Sequence, residues 1–158
     1  MSRSWKLITV WLLIATALFV AVQAMQHRAE RSRFSFDAAN GRIELKRAPD
    51  GHFYWPGRVN GVAVVFLVDT GATSTALPLA LAQDAGLVLE GAVRSSTAGG
   101  MVDGRIARAD VSLQGGVVAE RLRVGVLPRL DSPLLGMDVI SKLRLSQRDG
   151  VMTLEPMR

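Results

Sequence analysis

The sequence predicts a single small, mostly β domain with one or two short helices, preceded by an amino-terminal helix that enters a membrane. Three observations predict it. Short alternating or β-branched runs recur between Gly-, Pro- and Asn-containing turns from residue 41 onward. Only residues 77–86 and the stretch after Asp138 have helical composition and punctuation. Residues 7–25 are almost wholly apolar, broken only by Thr9, Thr16 and Gln23.

At 158 residues the chain has room for one domain of about 120 residues plus that segment, enough for a self-sufficient core. The formal net charge is +5. Residues 1–33 carry five Lys or Arg against one Glu, and the remainder carries 14 against 13. The excess flanks the apolar run, which points to membrane phosphates and away from nucleic acid as a partner. With no cysteine there is no disulfide framework, thiol nucleophile or thiolate metal site. His27 and His52 lie far apart without metal-ligand spacing, and a Ser-His-Asp arrangement is the minor reading for either, since His27 lies beside the apolar segment and His52 in a turn. No metal and no other cofactor is expected.

In chain order, residues 7–25 as a helix would be about 28 Å long, close to a bilayer core. Val22, Gln23 and Ala24 also have the small-x-small pattern of a signal peptidase site after a basic start. Residues 1–25 are therefore a membrane anchor or a signal segment, with the anchor preferred because the apolar run fills a full span. Basic residues on both sides, Arg3 and Lys6 before it and Arg28, Arg31 and Arg33 after it, leave orientation open. Residues 26–40 are polar and small and read as a linker. The domain occupies residues 41–158.

Within it, residues 42–46 alternate as a half-exposed strand, Pro49, Asp50 and Gly51 make a turn, and residues 52–55 resume extended structure, so the two strands are expected to form a hairpin. Tyr54 and Trp55 read as core aromatics before groove aromatics. Asn60-Gly61 is a type I′ hairpin turn. Residues 62–68, Val-Ala-Val-Val-Phe-Leu-Val, read as a strand buried on both faces. That strand ends in Asp69, Thr70 and Gly71, a turn that carries one carboxylate out of the core, where the Thr70 hydroxyl and the amides of Gly71 and Ala72 are its natural donors. An ordinary turn aspartate bonding its own backbone is the plain alternative. Residues 77–86 predict a short helix between Pro78 and Gly86. Residues 95–104 are small and Gly-rich, a mobile loop that is either a surface hairpin or a cover over a substrate, and it feeds an alternating strand over residues 107–113. Gly115-Gly116 makes another turn, and residues 122, 124 and 126 alternate as a strand before a loop from Pro128 to Pro133. Leu134, Leu135 and Gly136 follow, with Gly136 open to close backbone approach. Asp138 reads as a cap for a short helix ending near Leu143. Asp149-Gly150 joins two final strands.

Gly51-His52-Phe53, Val59-Asn60-Gly61, residues 66–73 (Phe-Leu-Val-Asp-Thr-Gly-Ala-Thr) and Leu134-Leu135-Gly136-Met137 together resemble the retropepsin-like aspartic proteases. They look closest to the bacterial, membrane-anchored branch. The resemblance spans roughly residues 42–155. The extended Asp-Thr-Gly-Ala-Thr with its apolar lead-in is the specific part; Leu-Leu-Gly alone is weak, and order and spacing join them. The resemblance implies a closed β-barrel and an active-site loop of Asp69, Thr70, Gly71, Ala72 and Thr73. It places Leu134, Leu135 and Gly136 beneath that loop, and a flap at Thr97, Ala98, Gly99, Gly100 and Met101. It also implies a single-pass protein of the bacterial inner membrane with a periplasmic catalytic domain.

Peptide hydrolysis by this chemistry needs two carboxyls sharing a proton: one accepts a proton from water while the other donates to the carbonyl oxygen. The chain carries one Asp-Thr-Gly, and neither Asp131 nor Asp138 supplies a second copy. An active form is therefore expected to be a homodimer, with Asp69 of each subunit meeting on a two-fold axis. The expected function is that of a membrane-anchored aspartic endopeptidase acting on peptides or proteins. A non-catalytic dimerisation or peptide-binding module is the alternative.

Overall fold

The computed structural model describes residues 11, 12, 16, 33–97 and 100–157. Of the amino-terminal unit, Trp11, Leu12 and Thr16 are helical, and the Thr16 hydroxyl donates to the Leu12 carbonyl at 2.9 Å. The expected anchor otherwise lies outside the described residues, among which no helix is long and apolar enough to cross a membrane.

The remaining chain, Phe34–Arg158, is built from eleven strands and two short helices among the described residues. β1 (Phe34–Asp37), β2 (Arg42–Lys46), β10 (Leu143–Arg148) and β11 (Val151–Pro156) form one sheet in the order β1-β2-β11-β10. The second sheet runs β3 (Tyr54–Val59), β4 (Val62–Val68), β9 (Leu134–Leu135), β5 (Ala76–Pro78), β8 (Val117–Leu127), β7 (Gly100–Leu113) and β6 (Ala92–Thr97). A further pairing of β3 with β7, from Gly57 opposite Leu113 to Val59 opposite Val111, closes six of these strands into a barrel. Closure leaves those six without an open edge. β6 lies outside the ring and pairs only with β7.

The predicted I′ turn joins β3 to β4, with Asn60 and Gly61 both at positive φ (46° and 85°) as that turn demands. Asn60 also donates from Nδ2 to the Ala85 carbonyl at 3.1 Å and accepts the Asp110 amide at 2.9 Å, so the turn is tied to a bulge in β7. The core is continuous between the sheets: Ile43, Leu45, Met152 and Leu154 pack with Trp55, Phe66, Leu77, Val111, Val124, Leu135 and Ile140. Trp55 is fully buried, as the core reading of that aromatic expects, and its indole N–H donates to the Gln114 carbonyl at 2.8 Å.

Several expectations are corrected. Residues 42–46 and 52–55 do not form a hairpin; the turn between them forms, but β2 enters the four-stranded sheet and β3 the barrel. β4 is not buried on both faces: Val65 is 40% exposed, and only Phe66 and Val68 are buried, because one side of a barrel strand faces solvent where nothing covers it. β1 lies within residues 26–40, which read as a linker; Phe34 and Phe36 pair with Leu45 and Ile43 across the sheet. Residues 76–78 are a strand, and the helix following them, α1 (Leu79–Asp84), starts after Pro78 at φ −58° and ψ 146°. It ends in the paired bonds of a Schellman turn, Gly86 N–H to the Gln83 carbonyl at 3.0 Å and Leu87 N–H to the Ala82 carbonyl at 2.9 Å. The second helix, α2 (Met137–Ile140), stops before residue 143, where β10 begins.

Candidate active site

β4 delivers the site. Phe66 and Val68 anchor its last turn of pleat in the core, and the chain then leaves the barrel at Asp69, which is half-buried, while Thr70, Gly71 and Thr73 are exposed and Ala72 is half-buried. The Asp69 carboxylate accepts the Gly71 amide on Oδ1 at 2.9 Å, closing an Asx-type turn. The Ala72 amide donates instead to the Asp69 main-chain carbonyl at 3.2 Å. Of the donors expected from the sequence, the Gly71 amide is the one that reaches the carboxylate.

Leu134, Leu135 and Gly136 run directly beside this loop. β9 pairs parallel with the end of β4, Leu67 opposite Leu134 and Val68 opposite Leu135, and antiparallel with β5 at Ala76. The Leu67 amide donates to the Pro133 carbonyl at 2.9 Å and the Asp69 amide to the Leu135 carbonyl at 3.0 Å. In the reverse direction, Met137 N–H bonds the Ala72 carbonyl at 2.8 Å and Asp138 N–H the Thr73 carbonyl at 3.2 Å. A Cβ at Gly136 would stand 2.5 Å from the Ser74 carbonyl carbon and 2.8 Å from the Thr75 nitrogen. Only glycine admits that approach.

Two contributors were not predicted in these roles. Thr75 is fully buried at the end of the loop, and the Asp138 carboxylate takes both its amide (Oδ2, 2.9 Å) and its hydroxyl (Oδ1, 2.8 Å). Asp138 therefore does not cap its own helix, whose N-cap is Gly136 with no side-chain bond. The two residues are 63 positions apart, and no spacing rule pairs them.

The flap candidates fall on a hairpin more than on the expected loop. β6 ends at Thr97 and β7 starts at Gly100, with Thr97 opposite Gly100; Ala98 and Gly99 lie outside the described residues. Met101 is 63% exposed. Between residues 100 and 104 β7 pairs only with β6, and from Arg105 it also joins β8. The hairpin thus extends beyond the barrel as a two-stranded ribbon, a form with little to hold it by itself. β8 in turn adjoins the loop, since Gly125 N–H donates to the Thr75 carbonyl at 3.0 Å. Among the described residues no three His, Asp or Glu side chains converge as a metal set.

A half-buried aspartate on a fixed turn can hold and polarise a water. Comparison with known proteins bears on that chemistry. The aspartyl protease family model matches residues 55–139, a span that includes Asp69, Thr75 and Asp138. An uncharacterized protein of Rickettsia prowazekii (strain Madrid E) is 33% identical over 109 residues, which are 66% of this chain and 46% of that protein. The chain thus spans about half the length of the curated relative it matches. A crystal structure of a retropepsin-like aspartic protease from Rickettsia conorii is similar with a TM-score of 0.59 at 26% identity, covering 78% of this chain and 95% of that one. EIAV protease, complexed with the inhibitor HBY-793, is similar in fold alone, with a TM-score of 0.54 at 17% identity over 61% of this chain and 92% of that one. The fold is retropepsin-like, as the sequence motifs imply.

Proposed function

The chain belongs to the aspartyl protease family, and on that premise we propose that it is an aspartic endopeptidase that works as a homodimer. The observation that carries the reading is the placement of Asp69: it emerges from the core-anchored end of β4 onto a loop bonded along its length to residues 133–138, with its carboxylate held by the Gly71 amide. The chain has one Asp-Thr-Gly, so two subunits are needed to supply two carboxyls. Close carboxyls cannot both ionise, and one proton stays between them. The ionised Asp69 takes a proton from water as its oxygen attacks the peptide carbonyl carbon. The protonated Asp69 of the other subunit donates to the carbonyl oxygen, and the tetrahedral diol collapses as a proton passes to the leaving amine.

In this arrangement Thr70 faces its counterpart across the axis and bonds into the opposite loop, and Gly71 permits the approach. The ribbons bearing Thr97, Gly100 and Met101 close over an extended peptide and exclude water. Residues 1–25 hold the protein in the bacterial inner membrane with the domain in the periplasm, and tethering raises the local concentration of a weak dimer. The test is cleavage of a mixed peptide library by the full-length reconstituted protein beside Asp69→Asn, with circular dichroism on both. Wild type is expected to cut and the folded variant to lose activity by at least about a thousandfold, because the shared proton is gone while the volume is kept. Equal cleavage by both would remove Asp69 from the chemistry. No cleavage by either, despite a dimer, would point to a peptide-binding module.

A further inference from the structure

We propose that Thr75 and Asp138 are positioning residues of the aspartate site, a part-buried clamp that sets where Asp69 stands against its counterpart in the second subunit. The inference rests on the aspartic-protease reading above. The loop from Asp69 to Thr75 is held at its front by the Asp69 amide on the Leu135 carbonyl (3.0 Å) and in its middle by Met137 and Asp138 amides on the carbonyls of Ala72 and Thr73. Its rear is held by Thr75 alone, and there every polar atom of Thr75 is engaged. The amide goes to Asp138 Oδ2 at 2.9 Å, the hydroxyl donates to Oδ1 at 2.8 Å while accepting the Gly136 amide at 3.2 Å, and the carbonyl accepts the Gly125 amide at 3.0 Å. Both oxygens of one carboxylate thus grip one residue, and bonds to a carboxylate are shorter and stronger than neutral ones.

This carboxylate is not spent on local structure. α2 has four residues and no side-chain cap, so Asp138 reaches off its own element to the loop of the other. The Asp69 side chain has its bond within its own turn, to Gly71. Nothing in that bond sets the position of the turn as a whole; the seam to residues 133–138 does. In a paired-carboxyl site that position matters steeply, because proton sharing depends on the separation of the two acids, and a displacement of about 1 Å can cost about a hundredfold in rate. Removing the clamp leaves the main-chain bonds of Ala72 and Thr73 in place, so the barrel persists while the rear of the loop loses its side-chain tether.

The test compares wild type with Asp138→Ala, Thr75→Val and Asp138→Asn, all full-length and reconstituted, on the best-cut peptide of a mixed library across pH and protein concentration. Folded Asp138→Ala and Thr75→Val are expected to lose about a hundredfold in kcat with KM within about threefold. Asp138→Asn, which keeps one acceptor oxygen for the Thr75 amide and offers the Thr75 hydroxyl an amide donor where it had an acceptor, is expected to stay within about tenfold of wild type. The two limbs of the pH–rate profile are expected to draw together in the first two variants as coupling between the carboxyls weakens, which a purely structural role would not produce. A kcat within about threefold of wild type in both, or a loss that vanishes at high protein concentration, would overturn the proposal. If Asp138→Ala does not fold, Thr75→Val and Asp138→Asn decide by the same measures. If wild type cuts no peptide, the protease reading fails. The clamp is then read from the nitrogen-15 amide shifts of residues 69–73: displaced shifts in Thr75→Val support it, and unmoved ones overturn it.

Discussion

At the scale of single residues, the carboxylates show how local donors decide titration. The Tyr54 hydroxyl donates to Asp50 Oδ2 at 2.6 Å, and the His52 amide to Oδ1 at 3.0 Å; together they hold the Asp50 carboxyl below its ordinary value of 3.8. Asp37 is lowered in the same way, first by the Asn40 side chain (2.8 Å) and then by the Ala39 amide (3.0 Å). Both folded values lie below the unfolded ones. The stability they contribute is therefore fully present above about pH 3.8 and is lost as pH falls through the lowered folded values. Tyr54→Phe removes the larger influence on Asp50. Its midpoint, followed by carbon-13 NMR, is expected to rise toward 3.8 while that of Asp37 stays low; an unmoved Asp50 would reject the phenol as the cause.

At the scale of elements, the site depends on how closely β9 and its following glycine approach the Asp69–Thr75 loop. Gly136→Ala places a methyl 2.5–2.8 Å from the Ser74 and Thr75 backbone, where no flexible side chain can yield. A loss of about 1–3 kcal/mol in unfolding free energy is expected from denaturant titration; a loss near zero would mean that the two segments part without cost. Turns and strands were legible where local chemistry decides them. Asn60-Gly61 and Asp149-Gly150 demand positive φ and have it, and Asp-Thr-Gly followed by Leu-Leu-Gly marked the two segments that meet. What local chemistry does not decide was not legible. Residues 42–46 and 52–55 sit next to each other in sequence, yet residues 42–46 pair with β1 and with β11 from the far end of the chain, while Tyr54 and Trp55 pair with Leu67 and Phe66 of β4. Leu77 and Pro78 of β5 looked helical because they suit a helix start, but the pairing of β5 with β8 and β9 overrides propensity. Asp138 looked like a cap because the preference for Asp at a helix start is local, while its true partner is 63 residues away.

At the scale of the whole molecule, a closed six-stranded barrel, a four-stranded sheet and one protruding ribbon carry a single Asp-Thr-Gly, which in the proposed function is half of a two-carboxyl site. The account turns on each chain supplying one Asp69. The most direct test mixes wild type with an equal amount of Asp69→Asn under conditions of subunit exchange and measures cleavage per wild-type chain. Random pairing puts about half of the wild-type chains into mixed dimers that hold a single carboxyl, so activity per wild-type chain is expected to fall to about half, and further with excess variant. Activity per wild-type chain that stays constant at every ratio would place the whole reaction within one subunit and contradict the account.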